Sequence, residues 1–144
     1  MSVPASPLLL LPVDGSDSAL RAAAHCAQLA KALGARVAVL NVQPVIEDWQ
    51  THGIGREAAE AHLGARARAA TAGAERALQQ AGIAFETLVE FGDAPTTIAQ
   101  VASARGCAGV VMGTSGQTEL KSRLLGAVGT KVIHLVQVPV TFVH

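Results

Sequence analysis

A chain of 144 residues falls within the length of a single domain and can bury a core without metal or disulfide staples. Half of it is apolar and only 15% is charged, which excludes a disordered chain. The 11 basic and 11 acidic residues cancel, and three Phe, one Trp and no Tyr leave bases little to stack on, so no nucleic-acid partner is expected.

Leu8 to Val13 is a short apolar run closed by "DGSD", which reads as a strand buried on both faces. Ser16 or Asp17 then caps a helix that runs to Leu33 and stops at Gly34, with Leu20, Ala23, Ala24, Ala27 and Ala30 expected on its packed face. "RVAVLNV", residues 36 to 42, is a second buried strand of the kind found in parallel sheets. The stretch "QPVIEDWQTHGIGRE" has no periodicity and carries Pro44, Gly53 and Gly55, so it is a long loop that holds Trp49.

From Glu57 to Ala81, Leu63, Ala67, Ala70, Ala74, Leu78 and Ala81 recur at helical spacing, and Gly82 ends the helix. "IAFETLVEFGD" supplies a third strand, and Asp93 and Pro95 open a helix that ends at Gly106. "GVVMG" is a fourth strand, followed by a glycine-spaced loop, a helix from Ala127 to Val136 and a last strand in "VPVTFV". Five strands alternating with four helices predict an α/β, doubly wound parallel sheet in one domain spanning residues 1–144. Ligands of such sheets collect at the carboxyl ends of the strands, where the strand order reverses.

The loop "GTSGQTELKSRLLGAVGTK" carries Gly113, Gly116, Gly126 and Gly129. Glycines there permit sharp turns and tight packing, and they also let a backbone approach a ligand without a Cβ in the way. The helix start around Ala127 and Val128 offers unsatisfied N–H groups to an anion. Neither G-x-x-x-x-G-K-[ST] nor G-x-G-x-x-G occurs, so a phosphate-loop NTPase and a dinucleotide-binding enzyme both lack their fingerprints. "VDGSDS", residues 13 to 18, partly matches the S-G-G-x-D-S loop of ATP pyrophosphatases, but Asp14 puts a carboxylate where pyrophosphate would sit.

Three stretches together resemble the universal stress protein family: "LLLPVDGSDSAL", "GDAPTTIAQVASARGCAGVVMGTSG" and the glycine-spaced tail. The family's nucleotide motif, G-x-x-G, nine residues, then G-[ST], falls here on Gly113, Gly116 and Gly126. The resemblance implies an open sheet of order 3-2-1-4-5 and a homodimer that pairs strand five, Pro139 to Val143, across its interface. It also implies a cytoplasmic stress-response protein that holds ATP, or AMP or ADP, with any Mg²⁺ bound mainly through the phosphates. On that pattern Asp14, preceded by Pro12 and Val13, helps hold the adenosine and Val42 meets the adenine. Met112, Gly113 and Gly116 flank the ribose and phosphates, beside Gln117, while Gly126, Ala127 and Val128 offer backbone amides to the phosphates.

Two residues depart from the pattern. Ala127 lacks the hydroxyl of the family's Ser or Thr, which leaves the backbone N–H but removes a donor. Gln117 replaces a basic residue common among nucleotide-binding members, with Lys121 and Arg123 the nearest substitutes. These departures keep a second reading open, a dimeric interaction protein of the same fold whose nucleotide site has decayed. An ATP pyrophosphatase-like enzyme is a distant third.

The remaining candidates have plain roles. Asp14 also suits an Asx turn, Ser16 and Ser18 suit helix capping, and Asp93 suits a helix start. His25, His52, His62, His134 and His144 form no metal-ligand spacing, and Cys26 and Cys107 form no C-x-x-C. No nucleophile or general base is apparent, so at most a slow hydrolysis of ATP is expected. The four-Leu run near the N-terminus lacks a basic flank and is too short to span a bilayer.

Overall fold

The computed structural model describes residues 5–45, 55–114 and 125–144. Its elements follow in the order β1 (Leu8–Pro12), α1 (Asp17–Leu33), β2 (Arg36–Gln43), α2 (Arg56–Gln80), β3 (Phe85–Phe91), α3 (Ala94–Ala104), β4 (Gly109–Gly113), α4 (Ala127–Leu135) and β5 (Val140–Val143). Trp49, Gly53 and His52 lie outside the described residues, as do Gly116, Gln117, Lys121 and Arg123.

The strands form one sheet of order β3-β2-β1-β4-β5, parallel throughout. The central strand β1 is buried because it has a neighbour on each side: Leu9 pairs with Val37 of β2 and with Gly109 of β4. That explains its unbroken leucine run, since every side chain of a doubly covered strand meets a helix.

Strand residues alternate between two cores. Leu9, Leu11, Val37, Val39 and Val111 face α1 and the end of α2, whereas Leu8, Leu10, Leu40, Val110 and Met112 face α3 and α4. The chain therefore winds over one sheet face through β1, β2 and β3, then crosses to the other through β4 and β5, and the reversal falls between β1 and β4.

Local chemistry sets the helix ends. Ser16 Oγ accepts from Ala19 N at 3.1 Å to start α1, and Gly34, at φ +63°, ends it. Asp93 starts α3 in the same way, accepting from Thr96 N at 3.2 Å, with Pro95 in the first turn.

One helix face differs from expectation. Leu20 is 43% exposed and Ala24 is exposed, while the buried stripe of α1 is Ala19, Ala22, Ala23, Cys26, Ala27 and Ala30. Leu20 instead reaches sideways to α2, where a Cβ on Gly73 would come within 2.3 Å of its Cδ2. In α2 the buried positions add Ala59 and Thr71, whereas Ala70 and Ala81 are only half-buried. Small residues line so much of both helices that composition cannot fix their rotation to within one position.

Candidate functional site

The exits of β1, β2 and β4 and the starts of α1, α3 and α4 surround a cavity of about 260 Å³ at the carboxyl edge of the sheet. Leu40, Val42, Ile98 and Met112 give it apolar walls. Pro12, Val13 and Asp14 enter from the β1 exit, Gly113 from β4, and Gly126, Ala127 and Val128 from the start of α4. The structure thus gathers these sequence-derived candidates around one space, while Gly116 and Gln117 lie outside the described residues.

Three helices begin at this cavity, and they differ in how their first N–H groups are used. Ser16 closes α1, and Asp14 Oδ1 accepts from Ser16 N at 3.0 Å, an Asx turn that takes up the loop amide a pyrophosphate would need. Asp93 closes α3; hydrogen bonds from Thr96 Oγ1 at 2.7 Å and Thr96 N hold its carboxyl below the usual carboxylate range, and Lys131 adds to the shift. At α4 the N-cap is Gly126, which has no side chain to offer. Its first intrahelical bond is Thr130 N to Gly126 O at 3.0 Å, so the amides of Ala127, Val128 and Gly129 precede any acceptor within the helix.

This helix start is held firmly. Gly126 N donates to Thr114 O at 2.7 Å, and Thr114 N donates to Val143 O at 3.0 Å, which ties α4 to the ends of β4 and β5. Asp14 is the one ionisable side chain among the described cavity residues. Oriented amides therefore provide the positive pole of the cavity within the described part of the wall.

Two of these glycines also serve packing. A Cβ on Gly113 would lie 2.1 Å from Ser18 Oγ and 2.8 Å from the Ser18 carbonyl carbon, so this glycine admits the start of α1 against β4. Gly126 has φ −65° and ψ 172°, ordinary extended backbone rather than a glycine-only turn. Gly129, expected to serve a turn, is buried in α4, where a Cβ would approach Phe142 Cε1 to 3.0 Å.

Asn41 is among the cavity residues that sequence reasoning passed over, with Leu40, Ile98 and Thr114. It lies in the cavity wall, and its Nδ2 donates to Val13 O at 2.8 Å in a buried bond. The available signal was a lone amide at the end of an otherwise apolar strand. Among the described residues no group of three or more His, Cys, Asp and Glu could hold a metal ion, and no helix is long and apolar enough to cross a membrane.

A parallel sheet with a cavity at its carboxyl edge, where ligands of such folds collect, defines a small doubly wound α/β domain. The model of the universal stress protein family matches residues 8–144, and the chain belongs to that family. It is 30% identical over 138 residues to a universal stress protein of Methanocaldococcus jannaschii, covering 94% of this chain and 80% of that one. Among solved structures, a universal stress protein in complex with cAMP is 24% identical, covers 98% of each chain and superposes with a TM-score of 0.71. A universal stress protein from Archaeoglobus fulgidus in complex with dAMP is 20% identical, covers 96% of this chain and 98% of that one, and has a TM-score of 0.71.

Proposed function

We propose that this protein binds an adenine nucleotide at the carboxyl edge of its sheet and acts as a cytoplasmic, homodimeric stress-response module that passes its occupancy to a partner. The start of α4, whose N-cap Gly126 brings no side chain of its own, carries this reading. Its amides suit phosphate oxygens, while the apolar walls from Leu40 to Met112 suit a flat base. The cAMP and dAMP complexes of two family members support an adenine ring and a 5′-phosphate as the shared ligand chemistry. ATP, ADP and AMP all present both groups, and Mg²⁺ would accompany the longer phosphates rather than bind protein ligands.

The half-buried strand β5 supports a dimer through that edge, together with the exposed Ile133 and Leu135 on the neighbouring α4. A protein of this fold with a decayed nucleotide site is the second reading, and the missing hydroxyl at Ala127 is the observation that favours it. Calorimetric titration with AMP, cAMP and ATP decides between them: millimolar nucleotide that gives no heat, with no nucleotide released on denaturing the purified protein, overturns the first reading.

A further inference from the structure

We propose that Asn41, held in orientation by Gln43, is a positioning residue that sets the β1 exit for the ligand. The inference rests on the nucleotide-binding reading of the cavity and concerns how that cavity keeps its shape.

The argument starts where β1 and β2 part. Their register runs to Pro12 opposite Leu40, and Val13 N still donates to Leu40 O at 2.8 Å. Beyond that point a side chain takes over the link, as Asn41 Nδ2 donates to Val13 O at 2.8 Å. A backbone carbonyl only accepts, so Asn41 must turn its nitrogen toward Val13 and leave its oxygen on the other side. Gln43 Nε2 donates to that oxygen at 2.6 Å and so fixes which way the amide points.

Asn41 and Gln43 lie two apart on one face of β2, both almost wholly buried, at 3% and 5% exposure. Among the described residues the Gln43 Oε1 is buried without a hydrogen-bond partner, which offsets part of what its Nε2 bond contributes. A side chain that keeps half its amide unpaired in the interior has its worth in what the other half does. That half orients Asn41, and Asn41 fixes the carbonyl next to Asp14, whose own carboxylate then receives Ser16 N. Val13, Asp14, Ser16 and Asn41 all line the cavity, so a change of amide orientation shifts the wall itself.

The network lies at the β1 exit, apart from the phosphate-facing start of α4. Its loss therefore weakens ligands with and without phosphate by one factor. The test compares adenosine and AMP by calorimetry, at a temperature where every variant is folded. Gln43→Met removes the bond to Asn41 together with the unpaired oxygen, at nearly constant side-chain volume. We expect an unchanged or raised Tm, an affinity about tenfold lower for both ligands, and an unchanged ratio between them. Asn41→Asp keeps the acceptor for Gln43 but sets a buried oxygen against Val13 O, so its Tm should fall, while the equal loss of affinity for both ligands should be the same should Gln43→Met fold poorly.

The amide NMR signals of Asp14 and Ser16 in ligand-free protein are expected to move in both variants, a readout that global destabilisation alone does not produce. Affinities within twofold of the wild type in both variants overturn the proposal, and so does a loss confined to AMP. Wild-type protein that binds neither ligand overturns the nucleotide reading first, before any variant is compared, and the positioning role falls with it.

Discussion

Gly113 lies flat against Ser18, so close that a Cβ on the glycine would stand 2.1 Å from Ser18 Oγ and 2.8 Å from its carbonyl carbon. This contact joins the end of β4 to the first turn of α1, two elements nearly a hundred residues apart in the chain, and it borders the cavity. Gly113→Ala is therefore expected to act on folding. Moving Oγ aside is cheap, but the Ser18 backbone cannot move without shifting α1, so over-packing should cost about 1–3 kcal/mol. Ser18→Gly in the same chain should restore only part of the loss. Thermal unfolding of the single and double variants measures this, and a Gly113→Ala protein as stable as the wild type contradicts the packing role.

The contrast with Gly73 sharpens the point. A Cβ there meets Leu20 Cδ2 at 2.3 Å, yet that atom is the far end of a flexible, partly exposed side chain. Gly73→Ala is expected to leave Tm near the wild-type value, because a rotamer change of Leu20 relieves the contact and alanine favours the helix by about 1 kcal/mol. A loss as large as that of Gly113→Ala would show that Leu20 is locked between α1 and α2.

Much of the architecture was legible because the punctuation is local. Ser16, Gly34, Gly82, Asp93 and Pro95 each act on the backbone beside them, and the apolar runs of β1, β2 and β4 need no partner to be recognised. What depended on distant contacts was not legible. The expected face of α1 lies about one position from the buried one, so Leu20 and Ala24 fall outside the core, since alanines on every side of the helix leave the stripe ambiguous. The motif glycines were visible, but that Gly113 makes room for Ser18 and Gly129 for Phe142 follows only from the fold. Asn41 escaped because one amide in an apolar strand has no meaning until the carbonyl of Val13 is placed next to it.

The cap of α3 gives the protein a pH signature. Hydrogen bonds from Thr96 depress the Asp93 pKa in the folded state, so Asp93 stabilises the fold above its unfolded pKa of about 3.9. That contribution fades as the pH falls through the lower folded value. Asp93→Ala is thus expected to lower Tm at pH 7, with the gap to the wild type closing progressively below about pH 4. Thermal melts across that range check the sign; a gap that persists undiminished in acid would mean the carboxylate's charge contributes nothing to the cap.

Cys26 is fully buried on the inner face of α1, and burial pushes its thiol up to about 12. Cys107 is raised by burial as well, with Arg105 opposing. The thiolate is the reactive form, so neither cysteine should react with a thiol reagent at pH 8 until the protein unfolds. Cys26→Ser places a hydroxyl on the apolar stripe and should cost about 1–3 kcal/mol, with Cys26→Ala the milder change. Rapid labelling of the native protein at Cys26 would show that α1 opens locally.

Ala127 allows the start of α4 to be tested without disturbing the apolar walls of the cavity. It is the first helical residue after Gly126, whose extended φ of −65° and ψ of 172° suit a following proline. Ala127→Pro removes one backbone N–H from the cavity at a position where helices accept proline, so the fold should hold. Under the nucleotide-binding reading, AMP affinity is expected to fall by about tenfold, as for one hydrogen bond to a charged oxygen, with adenosine affinity unchanged. Ala127→Ser should act in the opposite direction, because it restores a hydroxyl beside the same amide. Calorimetry with both ligands separates the two ends of the site. If Ala127→Pro and Ala127→Ser leave the AMP-to-adenosine ratio untouched, the phosphate does not sit at α4, and the amides that Gly126 leaves uncapped serve something other than a nucleotide.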